Sequence, residues 1–341
     1  MNFPLIQAFD QLGQWLQEDI NEELELALLQ AQTENPWFTP TNVRQALAAM
    51  RQQFFPRDLI LAWLQSYPGV PTSKPKSIGL ITAGNLPAVG FHDLMCILLS
   101  GHNALVKLSE KDMVIPRLLI KKLLYWDETL RTRIHLVDRL TGFDAVIATG
   151  SNHSARYFHQ YFDKYPHLIR KNRNAVAVLD GSENEAQLYE LGKDIFGFFG
   201  LGCRNVSKLY VPAGYAFEDL LHVLNRFQRV MLHSKYRNNY EYNFATMVIN
   251  REPYMKNECI LLLESDDISS RIATLHYTYY QSEEELQSIL NREQAKIQCI
   301  VSDGFRGNLP YVTFGDAQSP TLGSYADGID TMQFLSKLDE L

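Results

Sequence analysis

The chain predicts an α/β protein with two successive parallel sheets behind a helical prelude. Two observations carry this. The first 75 residues hold helical periodicity and no strand-like run, and from there on short β-type runs alternate with helices of about 10–15 residues, in two series. Strands that alternate with helices in this way form mostly parallel sheets with helices on both faces.

The elements follow in order. Leu5, Phe9, Leu12, Leu16, Ile20, Leu24 and Leu28 recur every three or four positions, which predicts a helix over 5–33, closed by Pro36 and Pro40. Helices over 42–53 and 57–65 precede a connector rich in proline and glycine at 67–75. The first series has strands at 77–83, 103–108, 134–137 and 144–149, and helices at 87–99, 115–124 and 151–162. Pro87 is acceptable in a first helical turn. The basic run Arg170-Lys171-Asn172-Arg173 reads as a solvated turn and marks a domain break. The second series has strands at 175–179, 207–211, 260–263, 272–276 and 297–301, with helices at 183–199, 217–229 and 283–292. A tail rich in glycine and proline from Gly304 ends in a helix over 329–338. The expected domains are 1–173, 174–303 and a closing segment, 304–341.

With 341 residues, 46% hydrophobic and 21% charged, the chain has the composition of an ordinary globular protein. A net charge of −7 argues against nucleic acid or an anionic membrane as partner. Cys96, Cys203, Cys259 and Cys299 form no C-x-x-C pair, which suits a reducing compartment. The N-terminal residues lack a signal-peptide pattern and no apolar run reaches the roughly 20 residues of a membrane span, so a cytoplasmic location is expected. The nine histidines are scattered and no H-E-x-x-H occurs, so no metal is expected.

Cys203 is the most informative residue. It follows Phe198-Phe199-Gly200-Leu201-Gly202 at a junction between an apolar helix and a strand. Glycines leave room for other groups to approach a thiol, and Arg204 and Lys208 would favour the reactive thiolate. A structural thiol is the alternative. Phe196, Phe198 and Phe199 read as core, or as the wall of an apolar substrate channel. Asn85, in Thr82-Ala83-Gly84-Asn85-Leu86-Pro87, stands at a strand-to-helix turn, where its amide could stabilise an oxyanion or merely cap the helix. Lys107, Ser109 and Glu110 end a strand, either as ligands of a ribose or as surface polar groups. Gly150 and Ser151 precede a helix whose N-terminus would suit a pyrophosphate. Neither G-x-G-x-x-G nor a P-loop is present.

The order of these motifs resembles the aldehyde dehydrogenase superfamily over roughly residues 75–341, and most closely the acyl-CoA reductases related to the fatty-acid reductase subunit of bacterial luminescence, the LuxC-like family. The resemblance implies an aldehyde-dehydrogenase-like fold with two Rossmann-type domains. The first of these would bind the nicotinamide cofactor and the second would carry the nucleophile. It implies Cys203 as nucleophile, Asn85 as oxyanion donor, Lys107, Ser109 and Glu110 at the adenosine ribose, Gly150 and Ser151 under the pyrophosphate, and Asp267 at the nicotinamide ribose. The segments Phe314-Gly315-Asp316 and Gly323-Ser324 resemble the closing segment that returns to the cofactor domain.

The implied activity is reduction of a fatty acyl-CoA to an aldehyde by NADPH; Glu110 near a ribose leaves NADH open. Hydrolytic members carry a glutamate base at the turn opening the catalytic domain. Here that turn, 170–174, has no carboxylate, which argues against oxidation of an aldehyde to an acid. Reduction of an acyl phosphate or an acyl-protein thioester, and a non-catalytic subunit that keeps the fold, are the alternatives. The β-arm that joins subunits in longer members is not evident, so homo-oligomer and partner subunits both stay open.

Overall fold

The computed structural model describes residues 3–18, 20–305 and 307–338. The chain forms two compact units: Met1–Asn172 with Pro320–Leu341, and Arg173–Ser319.

The first unit opens with α1 (Phe3–Trp15), α2 (Glu22–Glu34), α3 (Pro40–Gln53) and α4 (Arg57–Leu64). The single helix expected over 5–33 is therefore two, and Asn21 is the reason. Its Oδ1 accepts from Leu24 N–H at 3.0 Å and caps α2, while its Nδ2 donates to Trp15 O at 3.0 Å and closes α1. Thr39 caps α3, with Pro40 in its first turn.

Then come β1 (Ser77–Ile81), α5 (Phe91–Leu99), β2 (Asn103–Lys107), α6 (Val114–Trp126), β3 (Ile134–Leu136), β4 (Ala145–Thr149), α7 (Asn152–Phe162) and β5 (His167–Arg170). The five strands are all parallel, in the order β3-β2-β1-β4-β5. β5 is absent from the sequence expectation, because a four-residue edge strand behind Pro166 carries almost no pattern. α1 and α2 pack on α6, so Phe9, Leu28 and Ile60 of the prelude share one core with Ile78, Leu80 and Leu119.

The second unit holds β6 (Asn174–Val178), α8 (Glu185–Phe196), β7 (Val206–Pro212), α9 (Glu218–Leu224), α10 (Ser234–Asn250), β8 (Met255–Lys256), β9 (Leu261–Glu264), β10 (Thr274–Tyr280), α11 (Glu283–Glu293), β11 (Ile297–Val301) and β12 (Tyr311–Val312). Its sheet runs β12-β11-β6-β7-β10-β9-β8, parallel except where β8 meets β9. The helix expected over 217–229 is α9 followed by a 3₁₀ segment, Asn225–Leu232. α10 has no counterpart in the sequence expectation. Its buried face is Tyr236, Tyr240, Asn243 and Met247, a helical spacing carried mainly by polar-tipped residues. Tyr236 and Tyr240 donate to Cys259 O and Asn257 O, and Asn243 to Ile272 O.

Residues 304–319 pack with this second unit, and α12 (Thr331–Ser336) lies in the first. Among the described residues no helix is long and apolar enough to cross a membrane.

The basic run at 170–173 is not solvated throughout. Lys171 and Asn172 are exposed, but the Arg170 side chain is only 3% exposed and pairs with Asp93 of α5, itself 6% exposed. Arg170 also donates to Thr331 Oγ1 at 2.7 Å. Removing one half of a buried pair strands the other charge. Arg170→Ala is expected to lose about 3–5 kcal/mol in urea unfolding, and Asp93→Leu combined with Arg170→Met to recover most of that loss.

Candidate active site

In the first unit the register brings the candidate cofactor residues to one end of the sheet. Ile81 of β1 lies between Lys107 of β2 and Ala148 of β4, and Thr149 pairs with Arg170. The following turns thus leave from neighbouring carboxyl ends, where open α/β sheets bind ligands. The β1 and β2 turns are locked together. Thr82 N–H donates to Lys107 O, and Ser109 N–H donates to Thr82 Oγ1, both at 3.1 Å. A Cβ on Gly84 would stand 2.3 Å from Ser109 Oγ, so only glycine allows this approach. Lys107 and Ser109 are half-buried; Glu110 and Asn85 are exposed.

Asn85 does not cap a helix. The helix expected over 87–99 begins at Phe91, with Gly90 at its N-cap, because Ala88 adopts a left-handed φ of 53°. That turn is held by a residue the sequence reading passed over: Asp112, after β2, accepts from Ala88 N–H at 2.7 Å. Burial pushes the Asp112 carboxyl up to about 7, against the opposing pull of that N–H, and its Oδ1 has no partner among the described residues. Ser151, by contrast, does cap: its Oγ accepts from Ser154 N–H and opens α7. Gly150 N–H donates to Arg170 O.

In the second unit Cys203 sits half-buried on a tight turn between α8 and β7. Asn205, 1% exposed, clamps this turn. Its Oδ1 accepts from Gly202 N–H at 2.8 Å, and its Nδ2 donates to Asp194 O and Gly197 O at 2.9 and 2.8 Å. Ahead of it Phe198, Phe199 and Gly200 are all left-handed, with φ of 49°, 58° and 76°. Such backbone persists only where packing over-determines it. Phe196 and Phe198 are buried, Phe196 stacks on Phe227 with centroids 5.0 Å apart, and the half-buried Phe199 lies on His233 at 4.4 Å.

Both cations near the thiol in sequence hydrogen-bond backbone carbonyls. Arg204 donates to Ala317 O, and Lys208 Nζ donates to Ser265 O at 2.8 Å. Asp194, fully buried, receives Gly315 N–H and Ala317 N–H at 2.7 and 3.1 Å, and burial raises its carboxyl to about 7. The other three thiols are held protonated by burial: Cys96 well above the ordinary value, Cys259 at about 12 and Cys299 at about 11. Exposed Asp267 lies in the loop after β9. Ser207 Oγ donates to Ile268 O at 2.7 Å, which ties that loop to the start of β7, just beyond the Cys203 turn. Asn85, Lys107, Ser109, Glu110, Gly150 and Ser151 thus belong to the first unit, and Cys203 and Asp267 to the second.

The fold is that of the aldehyde dehydrogenases. Aldehyde dehydrogenase 21 from Physcomitrella patens, solved with the product succinate, aligns with a TM-score of 0.69 at 12% identity, covering 98% of this chain and 84% of that one. A mutant of aldehyde dehydrogenase C from Pseudomonas syringae, solved with NAD+ and octanal, aligns with a TM-score of 0.60 at 10% identity, covering 92% and 82%. The putative aldehyde dehydrogenase PutA from Anabaena variabilis gives 0.63 at 16% identity, covering 87% and 74%. No curated protein sequence matches. The profile of the acyl-CoA reductase (LuxC) family matches residues 24–224, more than half of the chain. The chain belongs to this family, and family and fold together make it an acyl-reductase or aldehyde-related oxidoreductase.

Two outcomes are expected of the residues that hold these turns. Between its ordinary 3.8 and about 7, the unfolded chain has released the Asp112 proton while the folded protein keeps it. Stability from this group therefore falls as pH rises through that window, by at most about 4 kcal/mol, and then levels off. Asp112→Asn, which keeps an acceptor for Ala88, is expected to flatten melting temperature against pH between 4 and 7 relative to the native protein. Asn205→Ala orphans several buried backbone groups and is expected to lose about 3 kcal/mol in chemical unfolding.

Proposed function

We propose that the protein is an acyl-CoA reductase that transfers a fatty acyl group from its thioester to Cys203 and releases it as an aldehyde, with NADPH or NADH as reductant. The observation that carries this reading is the Cys203 turn: a half-buried thiol clamped by Asn205, in a chain whose family match spans both Asn85 and Cys203. Cys96 and Cys259 are buried, and desolvation pushes the half-buried Cys299 thiol up to about 11.

In this reading Cys203 Sγ attacks the thioester carbonyl. The Asn85 amide and the Cys203 N–H hold the oxygen as it gains charge. The CoA thiol leaves and the acyl group remains on Cys203 as a thioester. The residues present fit a nicotinamide dinucleotide. Gly84 gives close-packed turns at the strand ends, Lys107, Ser109 and Glu110 offer partners to ribose hydroxyls, and the first turn of α7 offers N–H groups behind Ser151 to a pyrophosphate. Gly150, just before that turn, would let the pyrophosphate approach, and Asp267 would meet the nicotinamide ribose. When bound, the reduced nicotinamide supplies the hydride. The Asn85 amide and the Cys203 N–H then hold the second oxyanion, and Cys203 leaves as the thiolate when the thiohemiacetal collapses to aldehyde. Glu110 would favour an unphosphorylated ribose, and so NADH.

Reduction rather than hydrolysis is supported by the turn at 170–174. It contains no carboxylate of its own, Arg170 is turned inward onto Asp93, and Asp327 accepts from the backbone N–H of Lys171 at 3.3 Å. The same residues would serve an acyl phosphate or an acyl-protein thioester.

The test is acyl transfer without the reductant. With acyl-CoA and no nicotinamide, intact mass is expected to show one acyl adduct that maps to Cys203 and is absent from Cys203→Ala. NAD(P)H consumption is expected to fall at least about a thousandfold in that variant. Turnover supported only by an acyl phosphate would reassign the donor. Unchanged reductase activity in Cys203→Ala would remove the mechanism.

A further inference from the structure

We propose that His159, Asp163 and His167 form a binding site for a divalent transition-metal ion, with zinc the best match, that clips α7 to the edge strand β5. His159 lies in the last turn of α7, Asp163 is the C-cap of that helix, and His167 is the first residue of β5. One potential ligand atom from each lies within 4.8 Å of the other two. His159 Nδ1 is 2.9 Å and His167 Nε2 3.6 Å from the same oxygen, Asp163 Oδ1. Ligands at 2.0–2.1 Å from a tetrahedral ion stand about 3.3 Å apart, so two of the three separations already fit and the third closes by side-chain rotation.

The second argument is the tautomer of His167. Its Nδ1 lies 2.9 Å from Tyr165 O and donates its proton there. That leaves Nε2, 3.6 Å from Asp163 Oδ1, as the nitrogen placed to ligate an ion. A ligating imidazole whose other nitrogen donates to a backbone carbonyl is the usual arrangement around zinc. His159 now donates Nδ1–H to Asp163; on binding it carries its proton on Nε2 and coordinates through Nδ1.

Two imidazoles and one carboxylate select zinc, cobalt or nickel over magnesium or calcium, with water completing the shell. The three side chains are exposed or half-buried, so an ion can enter from solvent. The site lies at the amino end of β5, away from the strand ends where Lys107 and Gly150 stand. No metal is expected from the motif spacings of the sequence, and none is needed by the proposed chemistry.

The test uses the full-length protein stripped with EDTA. Titration calorimetry with zinc chloride is expected to show one ion bound per chain, and cobalt chloride to give visible absorption bands of a four-coordinate site. Zinc is expected to raise the melting temperature of the native protein. His159→Ala, His167→Ala and Asp163→Asn are each expected to weaken binding by at least about tenfold and to abolish the thermal shift. Asp163→Asn changes the shape least and decides the matter if a histidine variant folds poorly. Cys203→Ala is expected to bind zinc normally. The absence of stoichiometric binding, binding that survives loss of both histidines, or binding lost with Cys203 would each overturn the proposal.

Discussion

The first unit depends on one buried charge. Arg170 is the last residue of β5, Asp93 lies in the first turn of α5, and Thr331 begins α12. A single guanidinium therefore joins the sheet edge, a core helix and the returning segment, which are far apart in sequence. Asp93 Oδ1 and Arg170 Nε have no partner among the described residues, so the charges are desolvated without being fully satisfied. An arrangement of this kind adds little net free energy but admits very few ways of docking the segment. His92, on the same helix, is half-buried; desolvation holds its imidazole below the ordinary value, and it bonds Leu322 O of the same returning segment.

Both candidate loops are fixed by a related device: a buried carboxyl set against backbone N–H groups. Asp112 receives Ala88, in the turn that carries Asn85. Asp194 receives Gly315 and Ala317, and Ala317 O in turn takes Arg204, the neighbour of Cys203. In each case a loop that no regular ladder would hold is anchored from the interior. The anchoring acid carries a raised pKa as the physical mark of that burial.

Much of the fold was legible because periodicity and turn residues agree along most of the chain. The strands at 77, 103, 144, 175, 207 and 297 and the helices between them follow from apolar patterns. The failures have physical causes. Asn21 splits a helix whose leucine spacing runs on through it, since a cap costs no hydrophobic position. α10 buries tyrosine and asparagine tips on carbonyls, so an apolar count misses it. Asn85 and Lys107 stand at strand-to-helix junctions and Cys203 at a helix-to-strand one, and all three can be picked out by position. Asp112, Asn205 and Asp194 act through partners distant in sequence or through backbone geometry, and nothing in their neighbours announces it. The His159-x₃-Asp163-x₃-His167 spacing is visible in the sequence. Its meaning depends on a helix ending and a strand returning within eight residues.

The left-handed run before Cys203 has a consequence for redesign. Two of its three residues are phenylalanines, so the loop keeps its shape only while their rings stay packed. Trimming Phe198 or Phe199 to alanine or valine would leave the backbone demand in place and remove what satisfies it, and the thiol would move with the loop. Glycine at either position removes the demand together with the ring. Ring packing and the position of the Cys203 thiol are therefore one variable along this stretch.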